Sequence, residues 1–404
     1  MFSHIPPYAG DPVLSLNEEF QTDTRPSKVN LSIGVYFDDT GKLPIMRAVN
    51  KAESTRQTSI APHPYLPMAG HAQYREVAQK VVFGADLKDR LRDRLTTIQT
   101  LGGSGALKVG ADFLKHYFPQ SHVWASDPTW DNHKVLFEGA GFAVNHYPYY
   151  DPQSGGVRFT EMLETLDRLP AQSIVLLHAC CHNPTGVDLS GDQWAELAPI
   201  FFRRNLIAFI DMAYQGFGSG IDEDAAGVRL LAEAGVPLLV ASSFSKNFSL
   251  YGERCGALSV VCASAAEAER VLGQLNAKVR ANYSNPPTYG ATLISRVLSD
   301  EALTAEWTDE LHGMRTRMLS MRSALHARLN GKVDDSLRAR YINQRGMFTY
   351  TGLNKTQVDR LKNEFAIYLV NSGRMCVAGL SESNVDYVAS SIAVVAAADT
   401  NNRA

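Results

Sequence analysis

The chain has 404 residues, of which 45% are hydrophobic and 20% charged, and its formal net charge is -3. This length exceeds a single typical core and predicts about two domains. The nearly balanced charge argues against binding to nucleic acid or to an anionic membrane, and no apolar run approaches the roughly 20 residues of a membrane-spanning helix.

The first residues, Met1–Asp11, have no basic head followed by an apolar stretch, so we expect no secretory signal. The five cysteines are scattered, apart from the adjacent Cys180 and Cys181, and form no recognisable disulfide framework. A reducing cytosol is therefore the expected compartment. The first forty residues contain several Pro and Gly and no long helical period. They predict an arm and the entry into a smaller domain.

The middle of the chain alternates short apolar runs, typical of buried strands, with helical stretches. The predicted strands are His122–Ser126, Ile174–Cys181, Leu206–Ile210, Leu238–Ser242 and Ala257–Cys262. Between the strands, Ala106–Phe118 carries apolar residues at helical spacing. This alternation predicts an α/β fold with a mainly parallel sheet covered on both faces by helices.

The C-terminal part has a different pattern. A long helical stretch, Asp300–Asn330, is followed by short apolar segments at Met347–Thr351 and Met375–Ala378. A helix is predicted between these segments, near Thr356–Val370. The pattern indicates a smaller mixed domain.

Polar residues follow several of the predicted strands. Ligands of open parallel sheets bind beyond the carboxyl ends of the strands, so these residues are expected to share one site. The residues are Asn183, Asp211, Tyr214, Ser243, Ser245 and Lys246.

Lys246 ends the segment Ser243–Lys246 and has three interpretations. A lysine after a strand is usually a solvated surface residue. A partly desolvated lysine is instead neutral often enough to form a Schiff base with a carbonyl compound. Ser-x-x-Lys also matches the acylation motif of penicillin-binding proteins, but the accompanying Ser-Asp-Asn and Lys-Thr-Gly tripeptides do not occur in this sequence.

The glycine-rich segment Gly102–Gly105 precedes the predicted helix at Ala106. It is either a tight turn that leads into the helix or a phosphate cradle, where small residues let backbone N–H groups approach an anion. It lacks the features of a nucleotide-binding P-loop and of a dinucleotide fingerprint. Asp211 likewise has two interpretations, a helix cap or a carboxylate that holds a protonated heteroaromatic nitrogen.

A zinc site is the alternative suggested by His178, Cys180, Cys181 and His182. Alternate residues of a strand face opposite sides, so we do not expect these four to converge on one ion, and no metal is predicted.

Arg280 and Arg374 each stand next to turn residues in an otherwise apolar context. Isolated arginines are usually surface charges, but this context favours clamps for carboxylate groups.

Taken in order, the motifs resemble those of the class I aspartate and aromatic aminotransferases, over nearly the whole chain. The segments that carry the resemblance are Asn183–Gly186, Asp211–Phe217, Ser243–Lys246, Tyr251–Arg254, Arg280–Pro287 and Ser372–Arg374. Two others, Tyr65–Met68 and Gln99–Phe113, are most similar to bacterial aromatic-amino-acid (tyrosine) aminotransferases.

The resemblance implies a fold-type I transferase that depends on pyridoxal 5'-phosphate and works as a homodimer with shared active sites. A large domain at 44–312 would contain a mainly parallel seven-stranded sheet and bind the cofactor. An arm with part of a small α+β domain at 1–43, and the rest of that domain at 313–404, would complete the chain.

The resemblance also implies residue roles at the cofactor. Lys246 would bond the cofactor and move a proton between the substrate α-carbon and the cofactor's C4′. Asp211 would pair with the pyridine nitrogen, Tyr214 and Asn183 with the phenolic oxygen, and Trp130 would stack on the ring.

Further roles follow from the same resemblance. His133 and His178 would support Asp211 from behind. The phosphate would be held by Gly103, Ser104, Ser243 and Arg254, with Tyr65 reaching it from the partner subunit.

Substrate binding completes the set of implied roles. Arg374, with Asn183 and the backbone of Gly34, would bind the α-carboxylate, and Trp130 would border the substrate. Arg280, from the partner subunit, would bind the side-chain carboxylate of aspartate or glutamate.

Four hypotheses for function remain open from the sequence. The leading one is transfer of the amino group of tyrosine or phenylalanine, and also of aspartate or glutamate, to 2-oxoglutarate. The alternatives are a dedicated aspartate aminotransferase, a decarboxylase or β-lyase on the same scaffold, and a binding protein that lost activity.

Overall fold

The computed structural model describes residues 1–8, 10–57, 62 and 64–397. The chain divides into two compact units. The large unit is Pro44–Arg317, and the small unit combines Met1–Leu43 with Met318–Ala404.

Helices account for much of the described chain. They are α1 Pro12–Thr22, α2 Arg47–Gln57, α3 Ala72–Leu91, α4 Gly102–Tyr117, α5 Asp131–Glu138, α6 Phe159–Leu166, α7 Gly191–Arg204, α8 Ala226–Glu233, α9 Ala265–Asn282, α10 Tyr289–Ser299, α11 Glu301–Arg328, α12 Asp335–Asn343, α13 Lys355–Phe365 and α14 Val385–Ala397. Helix α3 is interrupted at Gly84, whose φ of 72° is not helical.

The strands are short, as is usual in α/β proteins. They are β1 Val29–Asn30, β2 Leu95–Leu101, β3 Val123–Asp127, β4 Val144–Pro148, β5 Ile174–His178, β6 Ile207–Met212, β7 Leu238–Ser243, β8 Cys255–Val261, β9 Phe348–Tyr350, β10 Ile367–Tyr368 and β11 Arg374–Cys376.

The large unit is built on one seven-stranded sheet with the strand order β2-β8-β7-β6-β5-β3-β4. Strand β8 runs antiparallel to both neighbours, and the other neighbouring pairs are parallel. Every residue of β6 and β7 is buried, because helices cover both faces of a parallel sheet. The predicted mainly parallel sheet is confirmed.

Helix α4 packs closely on this sheet. Leu107, Ala111 and Leu114 belong to the core, as their helical spacing predicted. A Cβ at Gly110 would lie 2.5 Å from the ring of Phe209, so only glycine permits this close approach of helix and strand. The helix begins at Gly102, earlier than predicted, so its N-terminal turn is made of the glycine-rich segment itself.

The small unit is a mixed α+β structure, as predicted. Strand β1 pairs in parallel with β10, and β9 pairs antiparallel with β11, placing Arg374 opposite Tyr350. Its core includes Leu325, Leu361 and Ile392.

Three local predictions are wrong. The N-terminal region contains helix α1, which starts where the Asp11 carboxylate accepts from the N–H groups of Val13 and Leu14, both at 2.9 Å. The helix predicted near Thr356–Val370 ends at Phe365, because Ala366 is left-handed with a φ of 52° and β10 follows.

The third error is the strand Ile174–Cys181, since β5 ends at His178 and Cys181 has a φ of 51°. The residues after His178 therefore form a loop rather than alternating on a strand. In the described chain, no helix is both long and apolar enough to cross a membrane.

Candidate active site

The carboxyl ends of three parallel strands lie side by side in the large unit. In the strand register, Asp211 of β6 stands opposite His178 of β5 and opposite Ala241 of β7. The chain segments that leave these strands carry Asn183, Tyr214 and Lys246. The sheet therefore gathers at one edge the polar residues that the sequence placed after its strands.

Asp211 is a buried carboxylate with one strong partner. Its Oδ2 lies 2.9 Å from His133 Nε2, and His133 Nδ1 lies 2.8 Å from the Thr129 hydroxyl. Because the carboxylate accepts, Nε2 donates to it. Burial alone would raise the pKa of Asp211, but the His133 hydrogen bond and the nearby charges, including Lys246, lower it. Asp211 is thus a fixed anion at neutral pH.

Two further histidines continue this arrangement. The His178 ring lies 5.1 Å from the His133 ring and 4.4 Å from the His182 ring. His182 is held by Ser126 on Nε2 and by Thr185 on Nδ1, each at 2.8 Å. Burial and the neighbouring His133 lower the pKa of His178 to about 3, so His178 is neutral at physiological pH.

The pKa of His178 has a consequence for stability. In the unfolded chain an imidazole takes up a proton below its ordinary pKa of 6.5, whereas folded His178 does so only near pH 3. The unfolded state therefore binds more protons in this window, and the free energy of unfolding falls as the pH drops through it. In His178→Asn, the free energy of unfolding measured with urea should depend less steeply on pH between about 3 and 6.5 than in the wild type. His116→Asn, at an exposed histidine of the same unit, should keep the wild-type slope. An unchanged slope in His178→Asn would contradict the assignment.

The residues of the zinc alternative do not form one cluster. Within the described chain, potential ligand atoms lie within 4.8 Å of one another in two separate groups, His133 with His178 and Asp211, and Cys180 with Cys181 and Asp224. The predicted separation is correct, but its reason is not. The strand ends at His178, and the left-handed Cys181 turns the loop so that His182 comes back to His178.

Lys246 lies on the segment that follows β7 and is half-buried. Its Nζ is 5.0 Å from the centre of the Tyr214 ring. The next residue, Asn247, is fixed by a 2.7 Å hydrogen bond from Trp307 Nε1 to its carbonyl oxygen, and Phe248 stacks on Trp307. A rigid backbone therefore carries the amine at a defined position beside Tyr214.

The glycine-rich segment and the β7 end form a crowded cradle. Gly102 has a φ of 68°, and a Cβ there would lie 2.5 Å from the Arg254 guanidinium. A Cβ at Gly103 would lie 3.1 Å from the Ser243 Cβ. The N-cap residue Leu101 makes no side-chain capping hydrogen bond at the start of α4, where half-buried Ser104 also lies, so the N–H groups of this turn and the Arg254 charge can bind an anion.

Two other predicted residues border this edge. Asn183 is buried, and its loop is held because Cys181 and His182 donate backbone N–H groups to Asp188 at 2.7 and 2.8 Å. Trp130 precedes α5 and meets the His133 ring edge-on at 5.2 Å.

In the small unit, Arg374 is buried, and its contacts include a backbone carbonyl and an aromatic ring. Its Nη2 donates to the Ser32 carbonyl at 2.8 Å, and its guanidinium lies 4.4 Å from the centre of the Phe348 ring. Gly34 approaches the same ring, since a Cβ there would lie 2.9 Å from Phe348 Cζ. The small unit thus brings Gly34 and Arg374 together.

Tyr65 and Arg280 are on the surface of the large unit. Tyr65 is 91% exposed, and Arg280, in the last turn of α9, is exposed and bonded to Ser284.

Sequence reasoning missed Thr129 and Ser126, and it considered His182 only as a zinc ligand. Thr129 and His133 are four residues apart across the start of a helix, and this spacing could have predicted the hydrogen bond between their side chains.

These features match those of a known family. Residues 26–392 match the family described as aminotransferase class I and II, and the chain belongs to it. It is 55% identical to an aromatic-amino-acid aminotransferase of Escherichia coli over 98% of this chain and 100% of that one. It is 50% identical to an aspartate aminotransferase of Pseudomonas aeruginosa over 98% of this chain and 99% of that one.

A solved structure has the same architecture. The aromatic-amino-acid aminotransferase of Burkholderia pseudomallei, covalently bound to pyridoxal phosphate, superposes with a TM-score of 0.95 and 50% identity, covering 98% of this chain and 99% of that chain.

Proposed function

We propose that this chain is a pyridoxal-phosphate-dependent aminotransferase that transfers the amino group of tyrosine or phenylalanine, and also of aspartate or glutamate, to 2-oxoglutarate. The observation that carries the proposal is the Lys246 amine beside Tyr214, at the edge of the sheet where the buried anion Asp211 lies near the carboxyl end of the neighbouring strand β6. An amine that can bond the aldehyde, a phenol that can donate to the ring oxygen and a fixed carboxylate that can accept from the protonated ring nitrogen suit a substituted pyridine aldehyde.

The residues fit this cofactor in two ways. At the cradle of Gly102, Gly103, Ser243 and Arg254, the glycines let the backbone come close to the Arg254 guanidinium and to Ser243, and the guanidinium and backbone N–H groups are donors for a phosphate. Asp211 is buried and ionised, so it can keep a pyridine nitrogen protonated. When bound, pyridoxal phosphate supplies an electron sink for the bond-breaking step at the substrate α-carbon.

The chain's own residues would divide the remaining work. Lys246 would bond the cofactor covalently and, once displaced by the substrate amine, would carry a proton from the substrate α-carbon to the cofactor's C4′. Asp211, oriented by His133, would hold the ring nitrogen. Tyr214 and Asn183 would hydrogen-bond the phenolic oxygen, and Trp130 would stack on the ring.

The remaining assignments concern the phosphate and the substrate. Ser104 would join the phosphate cradle. Arg374, with Asn183 and the backbone of Gly34, would bind the α-carboxylate, a role that its guanidinium fork suits. Trp130 would border the substrate.

A homodimer would give the two surface residues a function. Tyr65 would reach the partner subunit's phosphate, and Arg280 would meet a side-chain carboxylate in the partner subunit's site. The exposure of Tyr65 supports this role, since an aromatic side chain that is 91% exposed has no packing role within its own subunit. A cytoplasmic location is supported by the five buried cysteines, none of which forms a disulfide.

A dedicated aspartate aminotransferase is the second candidate, favoured by the 50% identity to the Pseudomonas aeruginosa enzyme. The two candidates share a mechanism and differ in the side-chain pocket. A pocket built only for a carboxylate leaves charged groups unpaired around a phenyl ring, which costs roughly 10⁴-fold in kcat/KM.

The deciding experiment is the single-turnover reaction of the wild-type holoenzyme, followed by the cofactor's absorbance. Phenylalanine and aspartate should both convert the cofactor, with kcat/KM values within roughly 100-fold of each other. A ratio of about 10⁴ or more in favour of aspartate would establish the second candidate instead. Release of carbon dioxide, ammonia or pyruvate in place of the oxo acid that has the carbon skeleton of the amino-acid donor would indicate a decarboxylase or lyase.

A further inference from the structure

A buried arginine in the small unit has no place in the proposed chemistry. Arg322 lies on α11 and is only 2% exposed. A charged guanidinium is costly to bury, so its hydrogen bonds must be extensive. Its hydrogen-bond partners show which part of the chain it holds in place.

The guanidinium holds one short stretch of chain at several points. Nη2 donates to the carbonyls of Gly346 and Phe348 at 2.9 and 2.6 Å. Nη1 donates to the Thr349 hydroxyl at 2.5 Å and to the Tyr341 carbonyl at 3.2 Å. Three of these four partners lie within Gly346–Thr349, so the Arg322 guanidinium fixes the start of β9.

Strand β9 in turn fixes the surroundings of Arg374. Phe348 pairs with Cys376 and Tyr350 with Arg374 in the β9–β11 ladder. The Phe348 ring lies 4.4 Å from the Arg374 guanidinium, and Gly34 packs against the same ring. The Phe348 backbone is therefore held by Arg322, while its side chain contacts Arg374.

We infer that Arg322 is a positioning residue for carboxylate recognition, which sets the orientation of Arg374 through Phe348. The inference deepens the proposed function and rests on the proposed role of Arg374. A bidentate pair with a carboxylate depends on the plane of the guanidinium, and a displacement of about 1 Å can cost up to roughly 100-fold.

Lysine cannot replace Arg322 in this role. One ammonium nitrogen cannot reach partners that the guanidinium contacts from two separate nitrogens. Arg322→Lys keeps the buried charge but loosens the Phe348 carbonyl. Phe348→Leu keeps that carbonyl and removes the ring.

The test is the dissociation constant of 3-phenylpropionate, whose only charge is its carboxylate, measured by calorimetry on the holoenzyme. Arg322→Lys and Phe348→Leu should each weaken binding about tenfold, and the double variant should weaken it by less than the product of the two, because both act on one contact. Arg328→Lys, on the same helix but ion-paired with Asp386 at the surface, should bind like the wild type. Cofactor content and its absorbance should be unchanged in all variants.

The outcomes separate this inference from the proposed function. Arg374→Lys should weaken binding more than either variant. If it does so while folded Arg322→Lys binds within twofold of the wild type, Arg322 is merely structural and the inference is overturned. If Arg374→Lys binds like the wild type, the proposed role of Arg374 fails and the inference falls with it. A lower melting temperature of Arg322→Lys without weaker binding also overturns the inference.

Discussion

Lys246→Ala should lower kcat for transamination by about 10⁴-fold or more. The amine has two proposed tasks, the covalent bond to the cofactor and the proton transfer at the substrate α-carbon, and alanine performs neither. The variant should still fold, because the half-buried side chain is removed without changing the 2.7 Å bond that fixes Asn247. The measurement is steady-state kinetics with tyrosine and 2-oxoglutarate, with the melting temperature as a check on folding.

Lys80→Ala is the matched control, since Lys80 is an exposed lysine of the same unit. It should have wild-type kinetics. Near-normal turnover in Lys246→Ala would refute the assignment of the catalytic amine, whatever the identity of the substrate.

Asp211→Asn should lower kcat by about 10³-fold while leaving the fold intact. The substitution preserves shape but removes the anion that keeps the ring nitrogen protonated. Because the pKa of Asp211 is lowered from 3.8, the wild-type carboxylate stays ionised above that pH. The defect should therefore be equally large across the neutral and alkaline range, as measured by the pH profile of kcat.

Asp211→Asn should also change how the free energy of unfolding depends on pH. A depressed carboxyl pKa adds stability above the ordinary pKa of 3.8, and that contribution is lost as the pH falls below it. Asp211→Asn should abolish this part of the acid dependence. Asp192→Asn, at an exposed aspartate of α7, is the control and should keep the wild-type acid dependence of stability.

A defect in kcat of Asp211→Asn smaller than about tenfold, or one that disappears at high pH, would argue that Asp211 does not hold a ring nitrogen.

The layout of the site was predictable because it follows from strand order and not from exact strand ends. Asp211, Tyr214 and Lys246 each follow an apolar run, and parallel strands bring such ends to one edge. The exact end of β5 was not predictable, since Ala179, Cys180 and Cys181 are apolar and buried like the strand before them. The left-handed Cys181 that turns the chain has no signature in the sequence.

Other features escaped prediction for different reasons. The cap at Asp11 stands beside Pro12, which also fits an extended arm, so helix α1 was missed. Arg322 lies in a stretch rich in charged residues, and an arginine in such a stretch is normally exposed. Only the fold shows that Arg322 is buried and that it donates to the Phe348 carbonyl.

The most direct test of the account is to identify the residue that bonds the cofactor. The purified holoenzyme would be reduced with borohydride, digested, and its peptides mapped by mass. The tag should lie on the peptide that contains Lys246, and a prior half-reaction with tyrosine should prevent labelling, because the substrate amine has displaced the lysine. A tag on another lysine, or a protein that never acquires the chromophore, would contradict the account.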